Sequence, residues 1–164
     1  MIPDIFQYHS VIIPNMIKYI GDLSPKVIEK ALIAIDIFLD GMEQEDIVQY
    51  LPVVVPKLIE VLLSDKSTSL MRAAAMSALG SAVTAAEDKF EPYVESVLQT
   101  CNKVLEIPAS PDLNSVRAEN LNVLGKVANA FCKPEYKNSE LFYTTYIMPI
   151  MEKVYQILVN EKDS

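Results

Sequence analysis

An aromatic residue followed six positions later by an apolar helical segment recurs four times in this chain. Tyr8 leads to PNMIKYI, Tyr50 to PKLIEVL, Phe90 to SVLQTCNKVL and Tyr143 to PIMEKVYQIL, with spacings of 42, 40 and 53 residues between the aromatics. The last interval is stretched by the loop IPASPDLN. Prolines keep the same register: Pro14, Pro56 and Pro149 share one position, Pro52 and Pro92 another. Between these segments a second helix aligns with itself as VIEKALIAID, MRAAAMSALG and VRAENLNVLG. With Ile28, Arg72 and Arg117 taken as equivalent, one face reads Val27/Ala31/Ile35, Met71/Ala75/Leu79 and Val116/Asn120/Leu124, a helical spacing broken only by Asn120.

Two helices per unit and a period near forty residues are the signature of HEAT and armadillo arrays. A single such unit cannot bury its apolar face alone, so the units must stack. The expected fold is therefore all-α: a HEAT-repeat α-solenoid of about three and a half antiparallel helix pairs in a right-handed superhelical stack. First helices are placed near 5–20, 44–63, 88–106 and 139–159, second helices near 25–41, 68–86 and 114–132. The repeats run over about 5–41, 44–86, 88–132 and a partial 139–164, making residues 1–164 one array, expected to be an internal segment of a longer solenoid. GDLSP, SDKST and PASPD supply turn and capping residues. Pro56 and Pro149, inside first helices, each remove a backbone donor and predict kinks there.

Composition agrees. A 51% hydrophobic chain with only 4 Gly and no Trp favours packed helices over disorder or a turn-rich sheet. The 22 acidic against 14 basic residues, net charge -8, leave no clustered cations for nucleic acid and favour basic protein partners. Cys101 and Cys132 stand far apart and read as reduced thiols, not a disulfide framework. MIPDIFQYHS has no basic leader pattern, and no long run is free of charge or proline, so neither a signal peptide nor a membrane span is expected. His9 is the only histidine, no CxxC pair exists, and no glycine-rich loop precedes a helix. No catalytic, cofactor or metal site is expected, and the chain is read as a binding protein rather than an enzyme.

The stretch LPVVVPKLIEVLLSDKSTSLMRAAAMSALGSAVTAAEDKFEPYVESVLQ resembles the HEAT repeats of the karyopherin-β (importin-β) superfamily, in particular the subgroup importing ribosomal proteins and histones. The carrying residues are the small-residue run Ser77 to Ala82 and the following Phe90, Pro92 and Tyr93; SVRAENLNVLGKVANAF is similar to the next repeat. The resemblance covers about residues 44–132 well and the flanks weakly. Asp65 with Arg72, and Asp112 with Arg117, approach the general HEAT pattern of a turn aspartate and an early arginine. The first unit departs from it at Ile28.

That resemblance implies a nuclear transport receptor, shuttling between cytoplasm and nucleus through the pore of the nuclear envelope. Second helices would form an inner wall that meets protein cargo carrying a basic import signal, with Glu29, Asp36, Asp40, Asn122 and Asn129 as cargo-binding candidates. First helices would receive phenylalanine-glycine nucleoporins, with Tyr50, Phe90, Tyr93 and Tyr146 as candidates; recurrence at one repeat position equally suits core aromatics. In the family the full-length receptor releases cargo on binding the GTP-loaded Ran GTPase, mainly through N-terminal repeats, to which nothing in this chain corresponds. The alternative reading is a HEAT scaffold such as a protein phosphatase regulatory subunit. Arg72 and Arg117 are expected to bond turn carboxylates and carbonyls.

Overall fold

The computed structural model describes residues 5–107 and 111–162. A 3₁₀ turn, Ile5–Tyr8, opens α1, His9–Tyr19. Helix α2 spans Pro25–Asp40, the short α3 Gln44–Ile47, α4 Leu51–Leu63 and α5 Ser69–Ala86. After a 3₁₀ turn at Glu87–Phe90 come α6, Glu91–Leu105, and α7, Asn114–Phe131. The last unit is built from α8, Ser139–Phe142, a π-helical segment, Tyr143–Ile147, and α9, Met148–Lys162.

The described residues form an α-solenoid of stacked helical hairpins. In each of the first three units a first helix (α1, α4, α6) packs on its own second helix (α2, α5, α7). The second helices then stack on one another, α2 on α5 and α5 on α7, while α6 packs between α4 and α9 in the other layer. The repeat is visible in the hydrogen bonds. Side-chain bonds joining neighbouring units span 41 residues for His9 and Tyr50, 44 for Gln44 and Asp88, 47 for Asn138 and Glu91, and 51 for Tyr146 and Glu95.

Local chemistry sets the helix ends. The Asp22 carboxylate accepts from the Ser24 N–H at 2.8 Å, shaping the turn that delivers Pro25 to the first turn of α2, where a missing N–H costs nothing. Thr68 caps α5 by accepting from the Met71 N–H at 3.2 Å. The Phe6 ring lies against the bare backbone of Gly41 at the end of α2 and meets Phe38 edge-on at 5.4 Å.

The core is the seam between the two layers. Along it Ala31, Ile35, Met71, Ala75, Leu79, Val116 and Leu124 are buried, as the spacing requires, while Val27 stays partly exposed in the first turn of α2. Asn120, the one polar residue in that stripe, is fully buried and donates through Nδ2 to the Cys101 carbonyl at 3.1 Å, leaving its Oδ1 without a protein partner. Helix α5 is apolar nearly all round because it is covered on three sides by α2, α4 and α7; its Ala, Gly and Ser residues let those neighbours come close.

Proline behaves differently from one first helix to the next. Pro14 and Pro56 lie inside α1 and α4, each of which runs on as one helix. In the last unit the π-helical segment ends two residues before Pro149. The Met148 N–H donates to the Tyr143 carbonyl, five residues back, as in a π turn, and Pro149 has no N–H to offer the Thr145 carbonyl.

Arg72 does the scaffold work expected of it. Its Nε donates to the Leu62 carbonyl at 3.1 Å and its Nη2 to the Ser64 carbonyl at 2.7 Å, covering two of the acceptors left open at the end of α4. Arg72→Ala is expected to cost about 2 kcal/mol, since charge-assisted bonds to otherwise open carbonyls are lost. Urea unfolding of the two proteins measures the difference, and Arg72→Lys should fall between them because an ammonium lacks the fork geometry.

Cys101 is fully buried in α6, and desolvation pushes its thiol up to about 12 from an ordinary 9.0. The unfolded thiol ionises at lower pH than the folded one. Stability contributed by this group is therefore complete below pH 9.0 and drains away as pH rises towards 12, by about 1 kcal/mol per pH unit. In the native protein iodoacetamide should modify the half-buried Cys132 and leave Cys101 intact, as mass spectrometry of the labelled peptides would register. Equal labelling of both would contradict the packing of α6.

Candidate interaction surfaces

Each second helix presents positions one, five, eight and twelve past its reference residue away from the hairpin seam. These are Glu29, Ile33, Asp36 and Asp40 on α2, Ala73, Ser77, Gly80 and Thr84 on α5, and Ala118, Asn122, Gly125 and Asn129 on α7. Their exposures are not alike. Asp40, Thr84, Asn122, Gly125 and Asn129 face solvent, Glu29 is half-buried in an ion pair with Lys30 at 2.8 Å, and Gly80 is buried.

The eighth position decides the difference, because it points at the next unit. Asp36 on α2 accepts from Ser77 Oγ at 2.8 Å and from Ser81 Oγ at 2.7 Å, so each carboxylate oxygen holds a hydroxyl of α5. Gly80 on α5 is covered by Lys126 and Val123 of α7. Nothing lies within 4 Å of where a Cβ on Gly125 would stand. Asp36 is thus a link between units; Asp40, Asn122 and Asn129 keep groups free on the surface, although Asn122 also donates to Glu119 at 3.3 Å.

The four aromatics of the first-helix layer are likewise dispersed. Phe90 is fully buried, with its ring 5.6 Å from that of Tyr93. Tyr93 is half-buried against the core. Tyr50 is half-buried, with its hydroxyl 2.7 Å from His9 Nδ1, while His9 Nε2 lies 3.5 Å from Asp46. Burial first, then the Asp46 charge, raises the Tyr50 hydroxyl above its ordinary pKa. Tyr146 donates to Glu95 at 2.7 Å, and that bond raises its pKa as well. Tyr146 also lines a recess of about 200 Å³ between α6 and α9 with Gln99, Lys103, Thr145, Pro149 and Ile150. Sequence spacing marks Tyr50 and Phe90 as equivalent but says nothing of such recesses, which require two helices from different units.

These surfaces belong to a repeat array with one layer of second helices and one of first helices. The chain is similar to an importin β subunit. Over 154 residues, 94% of this chain, it is 27% identical to the probable importin subunit beta-4 of Schizosaccharomyces pombe. It spans 14% of that protein's length. No family model and no solved structure matches it. The aligned region runs through almost the whole chain, flanks included, and so extends beyond residues 44–132. Among the described residues no helix is long and apolar enough to cross a membrane, and no group of three or more His, Cys, Asp or Glu side chains is placed to hold a metal ion.

Proposed function

We propose that this chain is one segment of a karyopherin-β nuclear transport receptor of the subgroup carrying ribosomal proteins and histones, and that it works by binding rather than catalysis. The observation that carries this reading is similarity to an importin subunit running through 94% of a chain whose hairpins stack into a solenoid. Cargo with a basic import signal would lie along the second helices, its lysines meeting Asp40 and Glu29 on α2 and its backbone meeting Asn122 and Asn129 on α7. Asp36 contributes by holding α2 to α5 and so fixing the wall. Phenylalanine-glycine nucleoporins would enter crevices between first helices, with Tyr146 lining the recess between α6 and α9, and with Tyr93 and Tyr50 as further contacts. Phe90 shapes this layer from within. Such a receptor would move between cytoplasm and nucleus through the pore and release cargo to GTP-loaded Ran by repeats outside this chain.

Immobilised chain offered phenylalanine-glycine nucleoporin peptides and, separately, a protein phosphatase catalytic subunit tests this reading. Retention of the peptides, lowered by Tyr146→Ala, supports it. Retention of the phosphatase subunit alone overturns it in favour of a scaffold.

A further inference from the structure

We propose that the recess between the C-terminal ends of α5 and α7 binds the carboxylate side chains of an acidic peptide segment. The recess encloses about 400 Å³ and is lined by Thr84, Glu87, Lys126, Asn129, Lys133 and Tyr136 among others. Two cations share it in a chain whose net charge is -8.

Neither lysine is paired. Among the described residues no carboxylate lies within ion-pair distance of Lys126 or Lys133, and neither donates a hydrogen bond. Lys126 is half-buried. Its Nζ and Cδ stand 3.1 and 3.4 Å from the position a Cβ on Gly80 would occupy, so the stem lies across the bare backbone of α5. A cation with a packed stem loses less freedom on binding an anion than one on a free stem. Tyr136, packed on Phe131 with ring centres 5.4 Å apart, makes a rigid side of the recess, and Asn129 adds a neutral donor.

A second observation points to the same place. Glu87, on the rim, has φ 48° and ψ -127°, the only positive φ at a non-glycine among the described residues. The conformation is gripped from both sides: Gln44 Nε2 at the start of α3 donates to the Ala86 carbonyl and to the Asp88 carboxylate, each at 2.9 Å. Strain of this kind persists only where the surroundings over-determine it. Glu87 is the one carboxylate lining the recess, and it lies beyond ion-pair distance of both lysines.

The chemistry favours a singly charged carboxylate over a phosphate. The recess sits at helix C-termini, where carbonyl dipoles and Glu87 oppose any anion and a dianion more strongly than a monoanion, and it offers two point cations in place of an arginine fork or free backbone N–H groups. It shares Asn129 with the inner wall, so a peptide chain can reach it. The inference does not rest on the transport reading and would hold for a scaffold as well.

The test is an NMR titration of the isotope-labelled chain with a peptide of alternating Glu and Ser, with the same peptide carrying Gln for Glu, and with inorganic phosphate. Shifts at the Thr84, Asn129 and Tyr136 amides with the Glu peptide only are expected. In Lys126→Gln/Lys133→Gln the affinity should fall by about ten-fold, and Lys126→Arg/Lys133→Arg should keep it. Equal shifts with the Gln peptide, the same shifts with phosphate at equal concentration, or unchanged affinity in the Gln variant each overturn the proposal. Should the Gln variant unfold, the comparison of Glu and Gln peptides on the unaltered chain decides.

Discussion

Phe90→Ala is expected to destabilise the protein by about 3 to 5 kcal/mol, the range for removing a fully buried phenylalanine and leaving its cavity. Phe90 has no exposed surface and closes the turn that joins α5 to α6, packed on Tyr93 and into the continuous core. Emptying it weakens two units at once, since no rearrangement of one hairpin can fill a space lined by both. Guanidinium unfolding followed by circular dichroism gives the magnitude, and Phe90→Leu, which keeps most of the volume, should recover over half of it. A loss below about 1 kcal/mol for the alanine variant would mean that the ring is not part of the core. If Phe90→Leu kept full stability and lost nucleoporin-peptide binding, the residue would be a contact after all.

Asp36→Ala is expected to cost about 2 to 3 kcal/mol, because it strands two hydroxyl groups that now donate to a carboxylate. Ser81 is the more telling partner: it is only 5% exposed, so water replaces the lost acceptor poorly. The loss should appear as coupling between units. In a double-mutant cycle with Ser81→Ala the interaction energy is expected to be about 1 kcal/mol or more, whereas Asp40→Ala, four residues along and exposed, should change stability by under about 0.5 kcal/mol. Additive behaviour of Asp36 and Ser81 would remove the link between α2 and α5 proposed from their geometry. Cargo affinity gives the complementary measurement, for Asp40→Ala should lower it while leaving the fold intact.

Together these variants separate two roles that one repeat position can hold. The aromatic six residues before each apolar segment is Tyr8, Tyr50, Phe90 and Tyr143, yet only Phe90 is fully buried, while Tyr8 and Tyr143 are about half exposed at 53% and 47%. Tyr50 stands between, tied by its hydroxyl to His9. Chemistry follows burial here: the one member without a hydroxyl is the one sealed in the core.

Periodicity alone located the helical hairpins, their order and the stripe that joins each pair. Apolar side chains three and four residues apart must share a helix face, and that rule carries no dependence on distant residues. Turn residues, Pro25 and the Arg72 position were legible for the same local reason. Pro14 and Pro56 lie in helices of unbroken extent, whereas a π-helical segment precedes Pro149, a difference that the shared repeat position does not show. Tertiary structure alone decided which outward positions meet a neighbour. Asp36, Gly80 and Gly125 hold one repeat position, yet the first binds serines of α5, the second lies beneath Lys126, and the third is open. The offset of one hairpin on the next chooses among these outcomes, and it is set by side chains some forty residues apart. The lysine recess and the Gln44 grip on both sides of Glu87 arise from that same offset, so no single helix of the sequence contains them.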